Sequence, residues 1–257
     1  MALLDVQNVR RSFGGLVAVD KASFTVEPGR IKALIGPNGA GKTTLFNIVS
    51  GLLATETGQI RFKDRRINGL RPYQIARAGI ARTFQNPSLF LQMSVIENVM
   101  VGQHVRTRAG FASCCLRLPW QQREERAIRD AAMKQLEFVG LAHLAEVSAG
   151  SLTFGQRRMV ELARALATEP ALALLDEPAS GLNNRETADL GALILRMRDT
   201  GVTVLLVEHD MSLVMDISDD IVVLHNGTSI AQGPPSAIQN DPRVVAVYLG
   251  DDAQHVA

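Results

Sequence analysis

The chain has 257 residues, 46% hydrophobic and 21% charged, an ordinary composition for a globular protein, and a chain this long buries roughly 70–75% of its unfolded surface, as one large domain or a core with a subdomain. Its formal net charge of +1 argues against nucleic acid as the main partner, which calls for a basic patch. Adjacent Cys114 and Cys115 offer neither a disulfide framework nor metal-ligand spacing and point to a reducing compartment, the opening "MALLDVQNVRRSFGG" lacks the pattern of a signal peptide, and no apolar run approaches the length of about 20 needed to span a bilayer.

In chain order, "LLDVQNV" alternates as a strand does, and "VAVDKASFTV" is β-branched and apolar before the turn "EPGR". "IKALI" is a short apolar run followed at once by the Gly-rich stretch "GPNGAGKTT". "TTLFNIVSGLL" then has helical spacing and meets Gly51 near its end, and "GQIRFKD" alternates again with Ile60 and Phe62 on one face. From Arg71 to about Ala149 the pattern is mostly helical and polar, with "REERAIRDAAMKQLEFVGL" the clearest helix. A helix over 157–168 ends near Pro170; the strand "ALALLD", a helix over 184–199, the strand "VTVLLVEHD" and a helix near 211–217 follow. "IVVLHNGTSIAQG" carries an Asn226-Gly227 hairpin turn between two strands. Strands alternating with helices predict a mainly parallel sheet with ligands at the strand C-terminal ends, and the helical middle predicts an inserted lobe.

Gly36, Pro37, Asn38, Gly39, Ala40, Gly41, Lys42 and Thr43, with Thr44 behind them, fit G-x4-G-K-[ST] without a mismatch, after an apolar strand and at the start of a helix. Such glycines let the backbone wrap closely around phosphates, and the N–H groups at the helix start supply positive potential. Lys42 is suited to the β- and γ-phosphates and the Thr43 hydroxyl to Mg2+, so the cofactors expected are ATP and Mg2+. "ALALLDEP" ends a buried strand on Asp176, suited to the Mg2+ shell, and Glu177, suited to polarise the attacking water. His209, at the end of "VTVLLVEHD", is suited to a γ-phosphate contact, although a histidine at a strand end is usually a structural hydrogen-bonder. Gln85 ends "IARTFQ", which looks like a strand entering the helical lobe, and is suited to hold the metal or a water.

Thr153, Phe154, Gly155 and Gln156 fit the capping box S/T-x-x-E/Q. The helix behind them is apolar at Met159, Val160, Ala163 and Leu166, as any capped helix on a core is. Yet its first turn offers a second set of N–H groups to an anion, more than a hundred residues after the first.

Taken as an ordered set, the P-loop, Gln85, "SLTFGQ", "LLDEP", "SGLN" and His209 resemble an ATP-binding subunit of an ABC transporter, with Leu152 to Gln156 in the place of the LSGGQ signature. The resemblance covers essentially the whole chain. It implies an α/β fold: a P-loop NTPase (RecA-like) core with a mainly parallel sheet, an N-terminal antiparallel β subdomain and an inserted helical subdomain. In one ABC ATPase domain over 1–257 the core and β subdomain would occupy 1–84 and 159–240, the helical lobe with the signature turn 86–158, and a tail 241–257. It implies a head-to-tail dimer, homo- or heteromeric, in which the signature turn Thr153–Gln156 of one copy meets the nucleotide on the P-loop of the other, so that the second anion site belongs to the partner's nucleotide. It further implies that Phe13 in "RSFGG" stacks on adenine, a core Phe being the other reading, and that "ASGLN", residues 179–183, crosses the dimer interface.

Two positions depart from the pattern: Phe154 stands where a glycine is usual, and Asn183 where an aspartate is. Thr153 keeps the hydroxyl and Phe154 its N–H, so the departures bear on cooperativity between the two sites rather than on nucleotide binding. "GIARTFQNPSLF", "ENVMVGQH", the Arg-rich insertion around 104–126 and the ending "PRVVAVYLG" look like the long ATPase subunit of branched-chain amino acid uptake systems, a pattern shared with importers of urea or amides. The partners implied are transmembrane permease subunits, a second ATPase subunit and, indirectly, a periplasmic binding protein, with the chain lying on the cytoplasmic face of the inner membrane. Non-transport members of the family are the competing reading. Repair types carry a long coiled coil between P-loop and signature, translation types carry two cassettes, and a scaffold that does not hydrolyse would not need Glu177. Near Gln85, Leu89, Phe90, Leu91 and Met93 crowd a short stretch and are expected to dock on the membrane partner, unless they only pack the lobe onto the core.

Overall fold

The computed structural model describes residues 1–85, 88–104 and 119–252. Asn86, Cys114, Cys115 and most of the Arg-rich insertion lie outside the described residues.

Two sheets form the frame. In the first, β1 (Leu4–Phe13), β2 (Leu16–Val26), β4 (Thr57–Phe62) and the short β5 (Arg65–Arg66) run antiparallel in the order β2-β1-β4-β5. The expected alternation holds: Ile60 and Phe62 are buried and Arg61 is exposed. In the second sheet, β3 (Ile31–Ile35), β6 (Ile80–Arg82), β7 (Leu172–Asp176), β8 (Thr203–Val207), β9 (Asp220–His225) and β10 (Thr228–Gly233) take the order β10-β9-β3-β8-β7-β6. All its pairs are parallel except the β9–β10 hairpin. Every residue of β3, β7 and β8 is buried, as continuous apolar runs covered on both faces should be.

Helix α1 (Lys42–Val49) follows β3, and its Leu45, Phe46 and Val49 fill the space between the two sheets. On the opposite face of the parallel sheet, α6 (Asn184–Asp199) and α7 (Met211–Ile217) bury Leu190, Ile194 and Leu213 against Ala173, Leu175 and Val204. A separate apolar cluster belongs to the helical middle: α3 (Val95–Gln103) and α4 (Pro119–Phe138) contribute Val95, Ile96, Val99, Ala132 and Leu136. The short α2 (Pro72–Ala78) leads into β6. Helix α5 (Phe154–Leu166) joins these bodies. Its Val160 and Ala163 enter the lobe cluster, while Leu162 and Leu166 enter the core cluster. At the chain's end α8 (Pro235–Gln239) and α9 (Pro242–Asp252) cover Ile35 and Val223 with Ile238 and Val244.

Three boundaries differ from the sequence reading. The helix expected over 157–168 runs Phe154–Leu166, because the Thr153 cap fixes its start. The strand expected to end on His209 stops at Val207, and Gln85 lies three residues beyond the end of β6 at Arg82. Both side chains therefore sit on loops at the C-terminal edge of the sheet.

Of the apolar residues near Gln85, Phe90 is 53% and Leu91 45% exposed, Met93 is half-buried, and Leu89 packs on the lobe cluster. Packing onto the lobe thus accounts for Leu89, and leaves Phe90 and Leu91 exposed.

Candidate functional site

The P-loop connects β3 to α1. Gly41 caps α1 in the left-handed region at φ 99°, and no side chain caps the helix start. Its first-turn N–H groups are thus left for an external acceptor. A Cβ on Gly41 would fall 2.3 Å from the Ala18 carbonyl oxygen, so only glycine fits beneath β2. The hairpin between β9 and β10 closes the loop from the other side: Gly227 N–H donates to the Ala40 carbonyl, 3.0 Å, and the Gly227 carbonyl accepts from Asp20 N–H, 2.8 Å. The Lys42 ammonium rests on the carbonyls of Gly36, 2.6 Å, and Pro37, 2.9 Å. Burial pulls its pKa below the ordinary lysine value, with nearby Glu177 pulling the other way. Asn38, Gly39 and Thr43 are exposed beside it, and Thr44 is half-buried.

Asp176 ends β7, 5% exposed. Its Oδ2 accepts from Arg82 Nη2 at 2.8 Å, and Arg82 Nη1 also donates to Asn47 Oδ1 and Ser50 Oγ on and after α1, both 2.7 Å. Glu177 follows in the left-handed region at φ 47°, a costly backbone state for a non-glycine residue. One of its oxygens, Oε1, meets His209 Nε2 at 2.6 Å, and the other accepts from Gln85 Nε2 at 2.7 Å. Of the three residues expected to be catalytic, Gln85 and His209 thus converge on the carboxylate of the third. Between β8 and His209 lies Glu208, 3% exposed, whose Oε1 accepts from Ala179 N–H, 2.6 Å, and whose Oε2 accepts from His209 N–H, 2.9 Å. Burial pushes its carboxyl pKa up, against those two donors.

A divalent cation fits this donor set. Thr43 hydroxyl, Asp176 carboxylate and Gln85 amide oxygen are hard oxygen donors, and the Gln85 amide nitrogen is already spent on Glu177. No cluster of three or more His, Cys, Asp or Glu able to hold a metal occurs among the described residues. A donor set with one carboxylate suits Mg2+, which takes most of its shell from phosphate and water.

The signature turn stands apart from this centre. Thr153 caps α5 with both bonds of the capping box: its side chain accepts from Gln156 N–H at 3.3 Å, and its N–H donates to Gln156 Oε1 at 3.0 Å. Phe154 is 43% exposed, with its ring on Gly181, where a Cβ would lie 2.9 Å from the ring edge. The nearest atoms to a Cβ on Gly155 are the Glu186 oxygens on α6. Asn183 caps α6, its Oδ1 accepting from Arg185 and Glu186 N–H at 3.0 Å each. Phe13 ends β1 with 43% exposure, under the Arg11 guanidinium at 5.0 Å. It is therefore not a core residue.

Sequence reasoning missed the buried charges that hold the loops: Arg82, Glu208, and the pair Arg158 and Glu161 beneath Gln85. No local signal marks Arg82, whose partner Asp176 lies on a separate strand.

The ABC transporter family matches residues 19–180, and a branched-chain amino acid ATP-binding cassette transporter family matches residues 229–254. The chain is 45% identical to the high-affinity branched-chain amino acid transport ATP-binding protein BraF of Pseudomonas aeruginosa, over 97% of this chain and 98% of that one. It is 44% identical to LivG of Escherichia coli K12, which carries the same description, with the same coverage. Among solved structures, an ATP-binding cassette of an ABC transporter in its ADP conformation is 34% identical and superposes with a TM-score of 0.85, covering 97% of this chain and 99% of that one.

Proposed function

The chain belongs to the ABC transporter family, and we propose that it is the ATP-hydrolysing subunit of a membrane importer for branched-chain or other hydrophobic amino acids. The observation that carries the hydrolytic part is the Glu177 carboxylate, held by Gln85 on one oxygen and His209 on the other at the edge of the sheet beside the P-loop. The amino-acid substrate rests on the relatives named BraF and LivG.

The P-loop N–H groups and the uncapped start of α1 receive the phosphates of ATP. Lys42 exchanges its present acceptors, the Gly36 and Pro37 carbonyls, for β- and γ-phosphate oxygens. Thr43, Asp176 and Gln85 would hold Mg2+, which when bound would offset the charge that develops on the phosphates. Glu177 takes the proton of the attacking water, and His209 both fixes that carboxylate and contacts the γ-phosphate. Phe13 offers its exposed face to adenine. Thr153, Phe154, Gly155 and Gln156 close the nucleotide of a second copy or a related subunit; in a two-fold dimer each copy lends this turn to the other.

No helix among the described residues is long and apolar enough to cross a membrane, so transport needs a permease to dock on. A cavity of about 250 Å³ between α2, β6, α3 and α5 is lined by Ile75, Ile80, Phe84, Val101 and Arg82. Leu52 and Phe84, both exposed, also line it, and Phe90 and Leu91, exposed further along the chain from Phe84, add the apolar character of an interface core. A permease segment on the cytoplasmic face seats there, and the solute, delivered by a periplasmic binding protein, is selected by those partners.

The test of the hydrolytic reading is Glu177→Gln in the purified chain: Mg-ATP binding by calorimetry at the parent's affinity with hydrolysis nearly abolished. Turnover at the parent rate assigns the base elsewhere. Phe90→Asp tests docking, with loss of co-purification with the permease expected while ATP binding stays intact.

A further inference from the structure

One turn after Phe154 on α5, the Arg158 side chain is fully buried, and three residues later Glu161 is 2% exposed. A buried ion pair is weak evidence for stability, since two well-packed apolar side chains often do as well. Here one nitrogen, Arg158 Nε, has no partner at all. What these two groups do that apolar ones cannot is hold backbone. Arg158 Nη1 donates to the Phe84 carbonyl at 2.8 Å and Nη2 to the Gln85 carbonyl at 2.6 Å. Glu161 Oε1 accepts from Phe84 N–H at 2.9 Å, and its Oε2 accepts from Arg158 at 3.1 Å. Arg164, one turn further, donates to the Ser88 carbonyl at 2.7 Å. One helix thus grips the Gln85 loop at three successive levels.

The same Arg158 guanidinium lies 5.7 Å from the centre of the Phe154 ring. Phe154 belongs to the turn that meets the partner's nucleotide; Gln85 holds the Glu177 that acts on this chain's own nucleotide. We propose that Arg158 is a positioning residue that couples the two, so that seating a nucleotide at the signature turn sets Gln85, and through it Glu177, for hydrolysis at the P-loop of the same chain. Phe154 and Arg158 lie about one 5.4 Å helical turn apart, so a displacement at Phe154 is passed along the helix to Arg158 and to the two carbonyls it holds. The proposal rests on the ATPase reading above.

The experiment compares the parent chain with Arg158→Met/Glu161→Leu, which removes both charges together and keeps the core filled. The double variant is expected to bind Mg-ATP within about twofold of the parent affinity, because the P-loop touches neither residue. Its kcat falls about tenfold or more, as a misplaced positioning group predicts, and the Hill coefficient for ATP falls to about 1. Arg158→Lys does not rescue kcat, since a single ammonium cannot span two carbonyls in the guanidinium's fork. A parent that fails to bind Mg-ATP overturns the ATPase reading and this proposal with it. A working parent beside a double variant of unchanged kcat and Hill coefficient overturns the proposal alone, and so does a folded double variant that has lost ATP binding. Should the double variant not fold, hydrogen exchange in the parent decides: adding Mg-ATP should slow the Phe84 amide together with the amides of 154–156. Slowing at 154–156 with Phe84 unchanged refutes the coupling.

Discussion

The centre around Glu177 sits at the C-terminal edge of the parallel sheet and the turn at Thr153 at the start of α5, and they use their polar groups in opposite ways. Around Glu177 the polar side chains are spent across the site: Gln85 and His209 hold the Glu177 carboxylate, Arg82 holds Asp176, and Lys42 rests on the Gly36 carbonyl, each within 3 Å. At the signature turn the polar side chains are spent locally, Thr153 and Gln156 on each other, and what remains outward is backbone N–H and an exposed Phe154 ring. A centre of the first kind makes its polar contacts within one chain. One of the second kind leaves donors facing outward, and on the proposed function they receive an acceptor brought by another molecule.

The largest effect that can break this contrast is at the inward centre. Glu177→Gln should lower kcat by about 10²–10⁴-fold, the usual contribution of a general base, with ATP affinity unchanged, as single-turnover assays on the purified chain would register. Lys42→Ala comes next. Losing a hydrogen bond to a charged group costs about 1.5–3 kcal/mol, and each 1.4 kcal/mol is about tenfold, so calorimetry should find ATP affinity weakened by at least about an order of magnitude. Thr153→Ala sharpens the contrast from the other side. The monomer should bind ATP as before, while ATP-dependent dimerisation in sedimentation experiments weakens by about tenfold; a loss of monomer affinity would erase the distinction between the two regions. The smallest effect is Asn183→Ala, which removes an N-cap worth about 1 kcal/mol and should lower the melting temperature by roughly 2–4 °C, whereas Asn183→Asp should hold it, since either residue caps.

The sequence makes the first region more legible than the second. The P-loop is readable because close backbone approach demands glycine at fixed spacing, and Gly41 beneath Ala18 is such a position. Asp176 and Glu177 are readable because a buried apolar strand ends on them. The start of α5 is readable from its capping box, which places it three residues earlier than the apolar spacing alone suggests; the spacing misleads because α5 faces two clusters, so its apolar residues do not form one stripe. Arg82 and Arg158 are not readable, because their partners lie 94 and 74 positions away in the chain and local pattern carries no information about such pairs. Nor is the left-handed backbone of Glu177 legible, since nothing in "LLDEP" calls for it.

The Asn226-Gly227 turn has a practical consequence. Hairpin tips are the usual choice for inserting a peptide tag, a fluorophore attachment site or new chain ends, because most of them are exposed and lightly held. This tip is wedged, with Gly227 bonded to the P-loop at Ala40 and to β2 at Asp20, and even a methyl group on Gly227 would fall 2.9 Å from the Val19 Cα. A label placed there would report on the molecule by disabling it, and the antiparallel sheet and the nucleotide loop would lose their common fastening at the same stroke. The solvent-facing turn at Gly14–Gly15, where an added side chain would meet nothing within 4 Å, has the spatial room that the tip at Gly227 lacks.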